Sequence, residues 1–311
     1  TVDMSRHVVI GAGPVGRAIV DALTSRGIEA QVLSRSGTQI PGAQATVVDA
    51  LDTERLASVI AGADVVYQAS SPEYHRYRED FPPLQRSIVS AVQKNDAVLV
   101  VIENLYGYGP VNQPMKEDMP LASTGRKGKV RADMWKSLQA ESDAGRLRVT
   151  AGRSSDFFGP HANDSAVGDR YFPRIITGKK AEVMGNPDAL HSYTYVRDFG
   201  EALVRLGLDN RSLGRAWHVP NAPAVTNRRF LEMAADIAGT QPRSTKLGKG
   251  KMRMAGLFIP PARELIEMLY EFEEDFVVDH SAYASVFGEH ATPLTESLTT
   301  TIEWFRSQAK Q

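Results

Sequence analysis

The chain has 311 residues, enough to bury a large core either as one sizeable fold or as two units sharing a cleft. Its 36 Lys and Arg nearly cancel its 37 Asp and Glu, so no overall basic field points to nucleic acid or to an anionic membrane. The absence of cysteine excludes disulfides, thiolate zinc sites and a cysteine nucleophile, and is compatible with a reducing cytoplasm.

The longest apolar run, Ala97–Ile102, is far too short to span a bilayer, and no basic-then-apolar leader opens the sequence. A soluble cytoplasmic protein is the expectation. In chain order, His7–Ile10 reads as a buried strand, followed by a Gly-rich turn and a helix through Thr24. Ala30–Leu33 and Ala45–Val48 read as strands, Leu56–Ile60 as a helix and Asp64–Ala69 as a fourth strand. Helical spacing at Leu84, Ile88, Ala91 and Val92 precedes a fifth strand at Ala97–Ile102. Val130, Met134 and Leu138 then mark one face of a longer helix before Leu147–Ala151. Strands alternating with helices, and apolar without interruption, imply a parallel sheet covered on both faces. Beyond Gly152 the rhythm loosens. Helices are expected at Asp198–Gly207, Asn227–Ala238, Arg263–Phe272 and Leu294–Ser307, with Gly239–Met254 as a mobile surface loop.

Gly11-Ala12-Gly13-Pro14-Val15-Gly16 directly follows the first strand and opens a helix. In that context the first glycine permits the tight turn and the second lets the backbone approach a pyrophosphate. The third lets helix and strand pack closely, and the helix N-terminus favours the anion. The second strand ends in Ser34-Arg35, a hydroxyl and a guanidinium where an NAD site carries a carboxylate. That pairing suits the 2′-phosphate of NADP, with NAD the alternative. Asp49, followed by Ala50, is the candidate contact for the adenine, or else a helix-entry cap.

Together these features resemble the extended short-chain dehydrogenase/reductases of the NAD-dependent epimerase/dehydratase type. Asp64–Ala69 is similar to the family's fourth strand, which runs into the cofactor and places Ala69 and Ser70 beside it. Tyr108-Gly109-Pro110 with Glu117–Pro120, Arg153–Pro160 and Tyr193–Asp198 resemble later family segments in the same order. The resemblance implies a doubly wound parallel sheet (Rossmann fold) over residues 1–160. It also implies a smaller C-terminal substrate domain over 161–311, with segments near 190–220 returning to the sheet. Relatives often pair through helices equivalent to Leu84–Val92 and Val130–Leu138, so a homodimer is implied, although those faces could equally be internal core.

The family's catalytic trio is a serine or threonine, a tyrosine, and a lysine four residues later. Counted from Tyr108-Gly109, the serine position falls on Asn104. Lys129 is the best match for the lysine, serving ribose and proton transfer, with Asp133 one turn later. The tyrosine position then falls on Gly125, or on Gly128 when counted from Pro120. Neither has a side chain. The replacement proton donor is expected among Tyr106, Tyr108, Tyr193, Lys127 or an ordered water, with Tyr106 the first choice at the end of the fifth strand.

His75, His161, His191 and His218 show no metal-ligand spacing, so no metal is expected. In relatives acting on nucleotide sugars, the His191 position tends to hold a diphosphate-binding arginine, and its absence argues for a less charged substrate. The leading expectation is an NADP(H)-dependent oxidoreductase acting on a carbonyl, alcohol or imine of a small organic molecule. The competing expectations are an epimerase or dehydratase that retains NAD(P), and a non-catalytic NADP(H)-sensing regulator. No nucleic-acid or membrane partner is expected.

Overall fold

A run such as His7–Ile10, buried at every position, has no polar face to turn to water and belongs inside a sheet covered on both sides. The structure, a computed structural model that describes residues 3–311, assembles such runs into one seven-stranded sheet. Its strands are β1 (His7–Ile10), β2 (Ala30–Ser34), β3 (Ala43–Val47), β4 (Val65–Gln68), β5 (Val98–Glu103), β6 (Arg148–Arg153) and β7 (Ala216–His218). They lie side by side in the order β7-β6-β5-β4-β1-β2-β3, every pair parallel. The order reverses between β1 and β4. In such sheets the crevice outside the carboxyl ends of the strands at that reversal is where ligands bind. The doubly wound parallel sheet expected from the sequence is the observed fold.

The helices that matter to the site are α1 (Pro14–Thr24), α2 (Thr53–Val59), α3 (Tyr77–Asn95), α4 (Arg126–Asp143), α5 (Val196–Leu208), α6 (Asn227–Ala238), α7 (Lys249–Gly256), α8 (Pro260–Met268) and α9 (Leu294–Gln308). Helices α1 and α5 cover one face of the sheet through Ile19, Leu23, Phe199 and Leu203, joined there by Tyr283. The other face is covered by Leu56 of α2, Ile88 and Val92 of α3, and Trp135 and Leu138 of α4. Ile88, Val92 and Leu138, apolar positions read from the sequence as dimer face or core, are therefore core. A third core, built on Phe158, Tyr171, Phe172, Phe230, Ile302 and Phe305, lies among α6, α9 and the short helix Phe172–Ile176.

Two stretches differ from expectation. Helix α3 begins at Tyr77, ahead of Leu84, and runs through Pro82 and Pro83. Proline removes a helical donor, but the carbonyls four residues earlier belong to exposed Arg78 and Glu79, where water can take up the bond. The segment Gly239–Met254 is not an irregular loop. Ser244–Leu247 pairs in parallel with Ala181–Met184, and α7 follows at once. Its alternating polar residues lie on a sheet edge, where one polar face is tolerated, so composition alone concealed the strand.

The tightest crossing on the sheet is α1 against α5. A methyl group at Gly200 would stand 2.4 Å from the Ala18 carbonyl carbon and 2.6 Å from its Cβ. Gly200→Ala is therefore expected to destabilise the fold by about 1–3 kcal/mol through forced separation of the helices. Chemical denaturation of the variant against the parent measures it directly.

Candidate active site

The first glycine of the turn has φ +108, and a methyl there would collide with the Ala69 carbonyl at 2.7 Å and the Ser70 amide nitrogen at 2.8 Å. Only glycine satisfies both the conformation and the contact. A methyl at Gly16 would sit 2.1 Å from the Gly11 carbonyl oxygen, so this residue sets the approach of α1 to the turn. Gly13 is different. Nothing lies within 4 Å of the space a methyl would occupy there. Pro14 and Val15 then open α1, whose first turn has no side-chain cap and no acidic residue, leaving its amides directed outward for an anion. This turn thus fits a dinucleotide pyrophosphate by its shape and its donors. Arg35, just past β2, is exposed, and the Ser34 hydroxyl beside it accepts a hydrogen bond from the Gly37 amide at 3.0 Å. Asp49 is exposed as well and accepts from the Leu51 amide at 3.0 Å, while the cap of α2 is Asp52, not Asp49. Ser70 donates its hydroxyl to Gln68 at 2.7 Å.

Asn104 and Tyr106 lie just beyond β5. The Asn104 side chain accepts from the Tyr106 amide at 3.1 Å, and the Tyr106 hydroxyl meets that of Tyr74 at 3.4 Å. Burial holds both phenols well above their ordinary pKa, so both remain protonated at neutral pH. Lys129 is placed elsewhere than expected. Its ammonium is solvent-exposed and pairs with Asp133 one turn along at 3.0 Å. Two residues make more than half a helical turn, so Lys127 points to the opposite face. Its side chain is 4% exposed, its ammonium meets Glu264 at 2.5 Å, and it lies 4.6 Å from the centre of the Tyr74 ring. The Lys127 amide donates to Glu267 at 2.7 Å. A side chain at Gly125, the expected tyrosine position, would meet that same Glu267 carboxylate at 2.5 Å. A side chain at Gly128 would stand 2.5 Å from the Tyr106 carbonyl oxygen. At Gly128 the neighbour is backbone, which leaves no room for a side chain, whereas at Gly125 it is the end of the Glu267 side chain.

The remaining wall comes from Asp156, just past β6, from His191, and from the short helix Tyr270–Glu273. His191 Nδ1 is 3.0 Å from the Glu271 carbonyl oxygen, and Nε2 is 2.8 Å from Asp156 Oδ2. A carbonyl only accepts, so Nδ1 carries a hydrogen, and a further proton lies between Nε2 and the carboxylate. The ring also stacks on Phe272, with centroids 4.5 Å apart. Sequence reasoning missed Tyr74, Glu264, Glu267, Tyr270 and Glu271. The last four arrive from a part of the chain with no recognisable motif.

Two other expected proton donors serve the framework. Tyr193 is stacked on Phe230 at 3.9 Å and donates to Asn227. The Tyr108 hydroxyl sits between Arg153, which donates to it at 2.8 Å, and His218 Nε2 at 2.7 Å, and Arg153 is paired with buried Glu103. His75 lies within 3.3 Å of Glu73, and His161 packs on Trp304. No metal-ligand cluster occurs among the described residues.

The sequence model of the NAD dependent epimerase/dehydratase family matches residues 7–219. The chain belongs to this family. No curated protein matches it by sequence. Among solved structures, it is similar to the UDP-glucose 4-epimerase of Thermotoga maritima with UDP-glucose, at 16% identity over 98% of this chain and 99% of that one, TM-score 0.78. It is likewise similar to the UDP-glucuronic acid 4-epimerase of Bacillus cereus in complex with NAD, at 14% identity over 97% and 99%, TM-score 0.78. MoeE5 in complex with UDP-glucose and NAD gives 19% identity over 98% and 100%, TM-score 0.78. Family membership classes the chain as an enzyme of the NAD-dependent epimerase/dehydratase type. No helix among the described residues is long and apolar enough to cross a membrane.

The contrast between the first two glycines of the turn makes a prediction for this family member. Gly11→Ala is expected to lower thermal stability, while Gly13→Ala leaves the melting temperature unchanged and weakens dinucleotide binding about tenfold or more by filling the approach. Calorimetry and fluorescence titration on the same samples separate the two effects. A second prediction concerns acid. Burial, then the charge of Arg153, pushes His218 down to about 4 from its ordinary 6.5. Protonation therefore favours the unfolded chain, so this contribution is complete above pH 6.5 and is lost as pH falls towards about 4. The slope is about 1.4 kcal/mol per pH unit. Urea denaturation across that range should show it, with a smaller slope for His218→Gln.

Proposed function

We propose that this family member is an NADP(H)-dependent oxidoreductase acting on a carbonyl, alcohol or imine of a small organic substrate that carries no nucleotide diphosphate. The observation that carries the reading is the composition of the substrate wall. Asp156, His191 and the Glu271 main chain are joined there, and Arg153, at the end of β6, is held by Glu103 and Tyr108. These residues offer a diphosphate no uncommitted cation.

In this reading Gly11, Gly13, Pro14, Val15 and Gly16 hold the pyrophosphate, Ser34 and Arg35 the 2′-phosphate, and Asp49 and Ala50 the adenine. Ala69 and Ser70 border the nicotinamide side. A nicotinamide bound there would supply or take up hydride. Tyr106, steadied by Tyr74 and set beside Asn104, would give the proton to the substrate oxygen or nitrogen. Lys127 takes the place expected of Lys129, since its ammonium is the one that faces the phenols. A cytoplasmic location and a dimer using the outer sides of α3 and α4 belong to the same reading.

A second reading, an epimerase or dehydratase that keeps its cofactor, is favoured by the family match. It predicts that nicotinamide absorbance shows no net change during turnover and that cofactor stays with the protein through purification.

The test is a fluorescence titration with NADPH and NADH, repeated on Arg35→Asp. NADPH is expected to bind at least about tenfold more tightly, the scale of charge-assisted phosphate hydrogen bonds, and the preference should vanish or reverse in the variant. Equal affinity for both cofactors in the parent protein would remove the NADP assignment.

A further inference from the structure

Four large apolar side chains stand exposed together where α7 passes into α8. Met254 is 68% exposed, Leu257 72%, Phe258 82% and Ile259 46%. Elsewhere among the described residues, exposed large apolar side chains occur singly, as at Met4, Leu190 and Leu208, or as Val47 with Leu51. The crest is presented by a fixed base. Met252 and Gly256 form the buried side of α7, and two residues make about 200° of helix, which turns Met254 to the opposite side. The Leu257 amide donates to the Met254 carbonyl at 3.3 Å, and the Phe258 and Ile259 amides donate to the Ala255 carbonyl at 3.1 and 2.8 Å. Arg263 of α8 donates twice to the Gly256 carbonyl, at 3.1 and 2.9 Å. Pro260 and Pro261 then open α8, where no helical donor is required.

The charge around this crest is of one sign. Arg243, Lys246, Lys249, Lys251 and Arg253 are all exposed, and no Asp or Glu occurs between Gly239 and Arg263. Lys249 reaches Glu273 at 3.7 Å, and no ion pair reaches the other four among the described residues. Setting these five apart leaves 31 of the 36 basic residues against 37 acidic ones, so the near balance of the whole chain hides a local excess. On α7 itself, Lys251 and Arg253 flank Met254.

An apolar tip with cations beside it fits a surface that is anionic outside and apolar beneath. A second copy of this chain does not offer one. Crest against crest would bring like charges together, and no other patch among the described residues exposes as many large apolar side chains. We propose that Met254–Ile259, with the cations of α7 and of the strand before it, dock the protein on a bilayer surface containing anionic phospholipid. Leu257 and Phe258 enter the boundary between headgroups and acyl chains, while Lys251 and Arg253 meet the lipid phosphates. Surface docking needs no spanning helix, and none occurs among the described residues. Glu264, which holds Lys127, lies five residues beyond Ile259, about 8 Å of helix, so docking brings that end of the crevice near the lipid. The proposal is independent of the oxidoreductase reading.

The test is sedimentation of the full chain with vesicles of phosphatidylcholine alone or with about 30% phosphatidylserine. Binding to the anionic vesicles is expected to be at least about tenfold tighter, since each cation near such a surface adds up to about fivefold. It should fall steeply in about 0.5 M salt. Lys251→Glu combined with Arg253→Glu should abolish the difference between the two vesicles. Leu257→Ser combined with Phe258→Ser should weaken binding to anionic vesicles about tenfold or more while the salt dependence remains. All four side chains are exposed, so both double variants should keep the parent melting temperature. Phe258→Trp reports insertion directly, as a blue shift of emission relative to the parent protein on anionic vesicles. No binding to anionic vesicles, binding that either double variant leaves unchanged, or no blue shift would overturn the proposal. So would a parent protein that self-associates without lipid and becomes monomeric in the Leu257→Ser, Phe258→Ser variant, because the crest would then cover a second copy.

Discussion

The rest of the site depends on how closely α1 can approach β1. A methyl at Gly16 would stand 2.1 Å from the Gly11 carbonyl oxygen, and one at Gly11 would strike the end of β4 at Ala69 and Ser70. With both side chains absent, the turn, the helix N-terminus and the fourth strand close into one surface. That contact puts the uncapped amides of α1 beside the reversal in strand order, where the sheet opens a crevice. The contact that packs the helix thus also leaves its first amides outward, with open space at Gly13.

A second constraint acts across the crevice. The first turn of α4 lies against the backbone of Tyr106, which buries Lys127 and leaves Lys129 outside. The lysine is held by carboxylates from α8, one on its ammonium and one on its main-chain amide. This ties the start of α4 to a helix far away in sequence. It also sets the Glu267 carboxylate 2.5 Å from where a Cβ at position 125 would stand. Gly125 and Glu267 thus meet in one local arrangement, with Tyr74 following β4 and Tyr106 following β5.

Much of the sheet was legible because its signal is local. The buried runs β1, β4 and β5 are apolar throughout, and the glycine turn announces itself by its neighbours on either side. The helix at Asn227–Ala238 was equally plain, bounded by Thr226, whose side chain accepts from the Arg229 amide, and by Gly239 at φ +74. The strand at Ser244–Leu247 was not, because a polar edge strand follows no distinctive period. The lysine register failed for a different reason. Lys127 and Lys129 are chemically identical, and only the packing of α4 on Tyr106 decides which faces inward. Tyr270 and Glu271 were hidden because their role is created by tertiary contact, through the bonds of His191 and Asn186 to that short helix, which no spacing in the sequence encodes.

The order of the parts along the chain has a consequence for biosynthesis. Gly11, Arg35, Asp49 and Ser70 all lie between β1 and α3, whereas Glu264 and Glu271 follow only after the whole sheet has been made. Folding of N-terminal units ahead of later ones is the usual course during translation. The growing chain therefore passes through a stage in which the glycine turn and the sheet have been made and the residues opposite them, Glu264 and Glu271, have not.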